Sequence, residues 1–387
     1  MMRWDIFCRV IDNFGDIGVC WRLARQLSSE HGCKVRLWVD DLLSFQRICA
    51  EVQPGLSRQV LTEGVEVWHW QPEPDALIQQ AGCAEVVIEA FACELPEGYV
   101  HAMAAAPVKP VWLNLEYLSA ESWVLDCHAL PSPHPSLPLQ KHFFFPGFLP
   151  GTGGLLREGR LIDDMTAWLQ QGGKKRLLGK LGIAEPERYQ QLICLFAYRH
   201  SELLSLLSTW AEQEARQLCL VPEGALADEL RALLPELTAR SWVQLGNTTL
   251  QVLPFINQQQ FDQLLWCADI NFVRGEDSLV RAIWAGKPFV WQLYPQDEDA
   301  HLDKLQAFWH CFAAGMEDAL QQALWQFWLN WNQQAALVAP WQQLTGLRPE
   351  WQWHCLKWRG QLCQQGDLAK NLVRFVENKF ILTANFS

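Results

Sequence analysis

The hydrophobic pattern of the first third of the chain alternates short β-rich runs with helical stretches. Residues 4–10 are a strand candidate, and a helix that begins near Ile17 is expected to end at Gly32, since glycine tolerates the left-handed backbone of a helix C-terminus. Further strand-like runs cover residues 34–39, 65–70, 85–92 and 110–115. Strands separated by helices predict βαβ units and a parallel sheet covered on both faces.

A break in this pattern separates two series of strands. Residues 130–154 are rich in proline and glycine, which predicts irregular chain. A second alternating series follows, with strand-like runs at residues 192–198, 217–221, 249–255, 269–274 and 289–294. Residues 367–380, near the C-terminus, are amphipathic and are expected to form a helix that crosses back to the first domain.

Two α/β halves of similar size predict a GT-B fold, in which two Rossmann-like domains with parallel sheets face each other. The predicted domains are residues 1–155, completed by a C-terminal helix at about 367–387, and residues 188–366, with a linker over 156–187. Ligands of such folds bind at the carboxyl ends of the strands. Nucleotide-sugar epimerases and some binding proteins share this layout, so the fold alone leaves the function open.

Composition narrows the class of protein. The 387 residues are 50% hydrophobic and 19% charged, which is typical of a globular chain, and the formal net charge of -12 disfavours a nucleic-acid partner. The acidity suits a basic partner or serves solubility. Charged residues interrupt the first apolar stretch and no run approaches the length of a membrane span, while thirteen cysteines show no zinc or redox spacing. We therefore expect a cytoplasmic protein with no membrane partner.

Residues 12–18, with the sequence DNFGDIG, follow the first predicted strand and open the first predicted helix. This position is at the mouth of a cleft, where Gly15 and Gly18 permit close approach of a ligand. One interpretation of Asp16 is structural, as a residue that caps the helix. In the other, Asp12 and Asp16 share a site, one accepting a proton and one orienting a cationic acceptor. The residues alone leave both interpretations open.

A second segment, residues 274–278 with the sequence RGEDS, lies between a predicted strand and a predicted helix. Backbone N–H groups at a helix N-terminus, beside an arginine, form an anion site suited to a diphosphate. Glu276 and Asp277 would repel a phosphate that they faced, so they are better placed as acceptors for sugar or ribose hydroxyls. A capped helix without a ligand is the alternative. Side chains at other strand ends that could contact a base are Phe196, Tyr198, Phe255 and Gln258.

Several other chemistries have no support in the sequence. The chain has no G-x-S-x-G elbow, no H-E-x-x-H pair and no phosphate-binding G-x-x-x-x-G-K-[ST] loop. Its ten histidines form no pair with the spacing of metal ligands. We therefore expect no metal site.

These segments together resemble the bacterial protein-arginine rhamnosyltransferases, which modify elongation factor P. The resemblance rests on DNFGDIG at 12–18, FAY at 196–198, LPF at 253–255, RGEDS at 274–278 and GKP at 286–288, and it spans essentially the whole chain in order. It implies a GT-B fold with an acceptor-side first domain and a nucleotide-sugar-binding second domain. It also implies inverting transfer of L-rhamnose from dTDP-β-L-rhamnose to one arginine, with no metal and no other cofactor.

Carried over by motif, the resemblance implies roles for individual residues. Asp16 would be the general base, Asp12 a nearby essential carboxylate, and Glu276 a residue important for activity. The donor-binding residues that it implies are Asn13, Phe14, Gly15, Phe196, Tyr198, Phe255, Gln258, Arg274, Gly275, Glu276, Asp277 and Ser278. A guanidinium is a poor nucleophile, so carboxylates that bind it, localise its charge and take its proton would lower the barrier. Inversion follows if Asp16 lies on the sugar face opposite the leaving group.

Two rival functions remain at this point. The first is another GT-B enzyme, either a transferase with a carbohydrate acceptor or a nucleotide-sugar epimerase. The second is a non-catalytic nucleotide-sugar-binding protein or scaffold. The pair of Asp12 and Asp16 disfavours the second, because a pure binder has little need of carboxylates beside a diphosphate.

Overall fold

The computed structural model describes residues 2–11, 14–71, 75–296 and 299–385. The chain divides into two compact units, of which the first comprises Met1–Gly159 with Leu362–Ser387 and the second Arg160–Gln361. Asp12 and Asn13 lie outside the described residues.

The first unit is built on a sheet that has eight strands within the described residues. The strands are β1 (Arg3–Cys8), β2 (Lys34–Val39), β3 (Arg58–Val60), β4 (Glu66–His69), β5 (Val86–Ala90), β6 (Val111–Leu115), β7 (Pro131–Pro133) and β8 (Gln140–Phe144). Their order is β3-β4-β2-β1-β5-β6-β8-β7, parallel from β4 to β8, with β3 and β7 antiparallel at the edges. The central strands are buried because helices cover the sheet.

The helices of the first unit follow its strands. They are α1 (Gly15–His31), α2 (Leu42–Ile48), α3 (Asp75–Ala81), α4 (Glu97–Ala105) and α5 (Val124–Cys127). Gly32 ends α1 at φ 63°, so the expected glycine C-terminus of this helix is confirmed. The apolar face of α1, with Ile17, Leu23 and Leu27, packs into the main core of the unit.

The second unit contains a sheet with six strands over the described residues. The strands are β9 (Gln191–Leu195), β10 (Gln217–Val221), β11 (Trp242–Leu245), β12 (Thr248–Val252), β13 (Ile270–Arg274) and β14 (Phe289–Gln292). Their order is β11-β12-β10-β9-β13-β14, and β11 is the antiparallel edge strand. Strands β9, β10 and β14 are buried along their whole length. Both sheets are thus mostly parallel, as the alternating pattern predicts.

Helices account for much of the second unit. They are α6 (Leu161–Gln170), α7 (Gly173–Lys180), α8 (Leu203–Ala211), α9 (Ala225–Leu233), α10 (Glu236–Ala239), α11 (Gln258–Cys267), α12 (Glu276–Ala285), α13 (Ala300–Phe312), α14 (Asp318–Asn332), α15 (Val338–Thr345) and α16 (Arg348–Cys363). Aromatic packing joins them, as where Trp328 lies parallel to Phe312 with ring centroids 5.4 Å apart.

The last helix, α17 (Leu368–Asn385), belongs to the first unit. Leu368 and Leu372 pack into the same core as α1, and Gln26 of α1 donates to Asp367 Oδ1 at 3.1 Å. Across the described residues, none of the helices combines the length and apolar character needed to span a bilayer.

Two segments differ from their predicted form. The segment 130–154 contains β7 and β8. Pro131 and Pro133 lie in the edge strand β7 and the other prolines lie outside the strands, so the run QKHFF of β8 is free of proline and can pair in parallel with β6. Where the sequence suggests a linker over 156–187, the structure has α6 and α7, which pack against α11 of the second unit.

Candidate active site

The loop between β1 and α1 fixes a buried carboxylate. Ile11 N–H donates to Asp16 Oδ2 at 2.9 Å, and the preceding Val10 N–H donates to Asp40 Oδ1 at 2.9 Å. The side chain of Asp16 is only 3% exposed. The backbone thus holds this carboxylate at the carboxyl end of a central strand, where α/β folds place their ligands.

The N-cap of α1 is Phe14 and not Asp16. Phe14 has φ -115° and makes no side-chain capping bond, whereas Asp16 is the second residue of the helix, after Gly15. A carboxylate in the first turn interacts favourably with the helix dipole. Asp16 therefore contributes to the helix through charge, while its carboxylate accepts a hydrogen bond from Ile11 N–H in the loop before the helix.

Polar side chains that the sequence analysis missed lie on the neighbouring strands β5, β6 and β8. Glu89, which is 3% exposed, pairs with Lys141 Nζ at 3.1 Å. Asn114 donates from Nδ2 to Glu116 Oε1 just after β6. Burial raises the pKa of Glu116 above its usual range, Lys141 acts to lower it, and the charge of Glu89 adds to the increase. When both carboxyl groups are ionised, two carboxylates and one ammonium leave this cluster with excess negative charge, which suits a cation.

A strained turn follows β5 next to this cluster. Phe91, Ala92 and Glu94 all have positive φ, at 56°, 51° and 55°, which side chains other than glycine rarely adopt. The turn is held by Ala92 N–H, which donates to Asn114 Oδ1 at 3.1 Å, and by Glu94 N–H, which donates to Glu89 Oε1 at 3.2 Å. Such strain costs about 1–3 kcal/mol per residue and concentrates at functional sites.

In the second unit, Arg274 lies between two of the predicted aromatic residues. Its guanidinium carbon is 4.6 Å from the ring centroid of Phe196 and 4.7 Å from that of Tyr198. Both aromatic residues follow β9, which neighbours β13 in the sheet. The cation–π contacts orient the arginine, and its charge at the carboxyl ends of two parallel strands favours an anionic ligand there.

The start of α12 is held from several sides. Gly275 is its N-cap with φ 64°, a conformation that favours glycine. Ser278 Oγ accepts from Arg274 N–H at 3.2 Å, and Trp291 Nε1–H donates to the carbonyl of Gly275 at 2.9 Å. Glu276 and Asp277 lie in the first turn and are partly exposed. The sequence did not point to Trp291, because its role depends on the pairing of β13 with β14.

The other predicted donor-binding residues belong to two segments, the loop after β9 and the chain around the start of α11. Tyr198 N–H donates to the buried Gln292 Oε1 at 2.8 Å, and the ring of Tyr198 meets the exposed Tyr294 edge to face at 5.5 Å. Gln258 is the first residue of α11, and Phe255, which is 41% exposed, precedes that helix. The link from α11 to the cluster is made by Phe261, whose ring centroid is 5.1 Å from that of Phe196.

Within the residues that the structure describes, His, Cys, Asp and Glu form no group of three or more that could hold a metal ion.

Comparison with known proteins decides the family. A family model described as Elongation-Factor P (EF-P) rhamnosyltransferase EarP matches residues 4–377. The chain belongs to this family. The match covers both units and includes every predicted site residue.

Individual members of the EarP family align with nearly the whole chain. A protein-arginine rhamnosyltransferase of Pseudomonas putida is 47% identical over 378 residues, which cover 97% of this chain and 98% of that protein. Another from Pseudomonas aeruginosa is 46% identical over 378 residues, 97% of this chain and 99% of that protein. A solved structure, concerned with the structural basis for EarP-mediated arginine glycosylation of translation elongation factor EF-P, is 33% identical, with a TM-score of 0.70 and coverage of 98% of this chain and 99% of that chain.

Membership of the EarP family confirms the resemblance seen in the sequence motifs. It also confirms the α/β GT-B fold class and the prediction that the protein is an enzyme, a glycosyltransferase. The roles of individual side chains in the EarP family member described here stay predictions.

Proposed function

We propose that this protein transfers L-rhamnose from dTDP-β-L-rhamnose to an arginine side chain of elongation factor P, with inversion at the anomeric carbon. The family description names EF-P and a rhamnosyl group, and the names of the relatives specify arginine. The observation that carries the proposal is the buried carboxylate of Asp16, which a backbone N–H fixes at the carboxyl end of a central strand. The proposed place of action is the cytosol.

Acceptor chemistry would rest on the first unit. A guanidinium is delocalised, and its pKa above about 12 makes its nitrogen a poor nucleophile. A carboxylate that binds the cation and takes a proton as the new bond forms lowers this barrier. Asp16 is the proposed base, and Asp12 the proposed partner by resemblance. Glu89 and Glu116 add negative charge at the same edge of the sheet, which supports a cationic acceptor.

Donor chemistry would rest on the second unit. Backbone N–H groups at the start of α12 and the charge of Arg274 are suited to a diphosphate, so they can stabilise the departing dTDP without a metal. Aromatic rings at the ends of β9 and before α11 are suited to a pyrimidine base. Glu276 lies in the first turn of α12. Because its carboxylate would repel a phosphate, its proposed role is to accept hydrogen bonds from sugar or ribose hydroxyl groups.

The test of this function is a mass measurement. The protein is incubated with dTDP-β-L-rhamnose and elongation factor P, and the factor is then weighed and fragmented. We expect the mass of one deoxyhexose, located on one arginine. An unmodified factor, with dTDP released and rhamnose transferred to a carbohydrate acceptor, would show a different transferase. Conversion of the sugar without transfer would show an epimerase, and binding without turnover a non-catalytic protein.

Arg274→Ala and Phe255→Ala are each expected to weaken dTDP binding. Loss of aromatic stacking on a base costs about 1–3 kcal/mol, and loss of Arg274 removes the cation beside the proposed diphosphate site. Calorimetry with dTDP measures both effects. Trp242→Ala is the matched control, because Trp242 on the edge strand β11 is also 41% exposed. Unchanged affinity in both variants would place the nucleotide elsewhere.

Chelation is expected to leave turnover unchanged. The proposed mechanism stabilises the leaving group with backbone N–H groups and an arginine, so it gives a metal no role. Turnover is measured after dialysis against EDTA, with and without added magnesium or manganese. A loss of activity that either ion restores would contradict the proposal of a metal-independent transfer.

A further inference from the structure

Two helices of the second unit begin at residues that the proposed function assigns to the donor. Gln258 is the first residue of α11, and Glu276 is the first residue of α12. The nucleotide pocket proposed above therefore requires a defined distance between two helix N-termini. That distance depends on the contacts that hold α11 against α12.

A bidentate ion pair joins these two helices. Arg281 Nε donates to Asp262 Oδ1 at 3.1 Å, and Arg281 Nη2 donates to Asp262 Oδ2 at 2.8 Å. Asp262 lies one helical turn after Gln258, and Arg281 lies in the second turn of α12. Two parallel hydrogen bonds fix both the distance and the relative rotation of the helices, which a single contact would not do.

Because this ion pair is buried, it can favour one arrangement of the two helices over others, which a surface ion pair does poorly. Asp262 is 5% exposed and Arg281 is 3% exposed, so neither charge is accessible to solvent. A buried pair is weak evidence for stability, since apolar residues often replace one without loss. Its best-attested use is to hold one arrangement of packed elements against others. Here those elements are the two helices that begin at the proposed donor site.

The aromatic packing transmits the position of α11 to the rest of the site. Phe261, adjacent to Asp262, contacts Phe196, and Phe196 contacts the guanidinium of Arg274. The start of α12 is in turn bonded to β14 through Trp291 and Gly275. A shift of α11 relative to α12 would therefore move Gln258 relative to the N–H groups of α12 and disturb the packing of Phe261 against Phe196.

We propose that Asp262 and Arg281 are positioning residues that set the spacing of the two helix N-termini at the donor site. They act through α11 and α12 and not by contact with the donor. This inference rests on the proposed function for the identity of the ligand. The geometry of the helices can be tested without it.

The first experiment measures hydrogen exchange of the free protein, with Asp262→Asn and Arg281→Lys compared with the wild type. Asparagine keeps the shape of the side chain without its charge, and lysine keeps the charge without the two-pronged geometry. We expect faster exchange in peptides covering residues 256–264 and 274–282, while peptides from β9 and β10 are unchanged. Exchange at the wild-type rate in both helix starts would overturn the inference.

The second experiment separates positioning from general stability. Asp5→Asn is the matched control, because Asp5 forms a buried bidentate pair with Arg36 in the other unit. With saturating elongation factor P, Asp262→Asn is expected to raise the KM for dTDP-rhamnose by about tenfold or more, with kcat within about threefold of wild type. Asp5→Asn is expected to lower Tm while leaving that KM unchanged.

The outcomes distinguish this inference from the proposed function. If Asp262→Asn lowers Tm as Asp5→Asn does, with wild-type donor KM and wild-type exchange at both helix starts, the pair is merely structural and the inference fails. If the wild-type protein does not bind dTDP at all, the proposed donor is wrong, and the exchange measurement still decides whether the pair holds the helix starts.

Discussion

Asp16→Asn is expected to reduce the rate of rhamnose transfer to elongation factor P by about 10²–10⁴-fold, the usual contribution of a general base. Asparagine keeps the size of the side chain, and its amide oxygen can still accept the hydrogen bond from Ile11 N–H. What it removes is the negative charge and the capacity to take a proton. The measurement is kcat for transfer at saturating donor and acceptor.

The same variant separates the two interpretations of Asp16. If the carboxylate serves only the helix, asparagine replaces it with a loss of a few tenths of a kcal/mol from the dipole, and turnover stays near wild type. If Asp16 is the base, turnover collapses while Tm and dTDP affinity change little, because the donor is assigned to the second unit. A fully active Asp16→Asn protein would end the general-base assignment.

A matched control is available in the same unit. Asp41 is the N-cap of α2, and its side chain accepts from the N–H groups of Leu43 and Ser44 at 3.0 Å each. Asp41→Asn is the same chemical change at a residue whose role is capping, and we expect it to leave turnover unchanged. The contrast between Asp16→Asn and Asp41→Asn isolates the effect of the charge from that of the substitution.

The parts of the fold that the sequence predicted are those controlled by local physics. Strand β2 was predicted at its observed bounds because four of its six residues, Val35, Leu37, Trp38 and Val39, are apolar. Helix α1 ends at Gly32 because a left-handed residue is needed there. The strand β8 was missed because the surrounding prolines suggested irregular chain. Proline removes only the N–H donor of its own residue. Two of these prolines lie in the edge strand β7, where a missing donor is tolerated, so β8 can still form a strand.

In the candidate site, too, features set by neighbouring residues were predicted and features that depend on the order of the strands were not. The position of RGEDS at 274–278 between a strand and a helix N-terminus was predicted correctly because these elements follow one another along the chain, while its role in donor binding stays a prediction. Glu89 and Lys141 were missed because they meet only through the sheet order β5-β6-β8, which brings together residues far apart in sequence. Trp291 and Gln292 depend likewise on the position of β14 beside β13. A polar residue at or next to the end of an otherwise apolar strand, such as Gln292 or Glu89, is the signal that could have found them.

Arg36→Met is expected to lower the free energy of unfolding by about 3–5 kcal/mol, the usual effect of removing one partner of a buried ion pair. Arg36 Nη2 lies 2.6 Å from Asp5 Oδ2, and Asp5 is fully buried in β1. The substitution leaves the Asp5 carboxylate without its cation. Urea unfolding of the two proteins at pH 7 measures the difference, and it should appear as a lower midpoint at an unchanged slope.

The pH dependence of this variant gives a second check on the cause. Burial raises the pKa of Asp5 above its usual range, and Arg36 acts to lower it. Loss of Arg36 removes this lowering, so the pKa of Asp5 in the folded variant rises further above that of the unfolded state, and the stability of the variant falls more steeply with rising pH than that of wild type. The destabilisation relative to wild type should therefore be smaller at pH 5 than at pH 7. Equal destabilisation at both would contradict an uncompensated carboxylate as the cause.

The double variant Asp5→Leu/Arg36→Met tests what the pair contributes besides stability. With no charge left to bury, most of the lost stability should return, since apolar replacement of a buried pair is often neutral. Asp5 and Arg36 stand directly opposite each other in the β1–β2 register, and a slip of one residue would turn every side chain to the other face. We expect the double variant to unfold with a lower urea slope than wild type if the pair also selects the register. A wild-type slope together with wild-type transfer activity would show that apolar packing alone aligns β1, and with it the loop that carries Asp16.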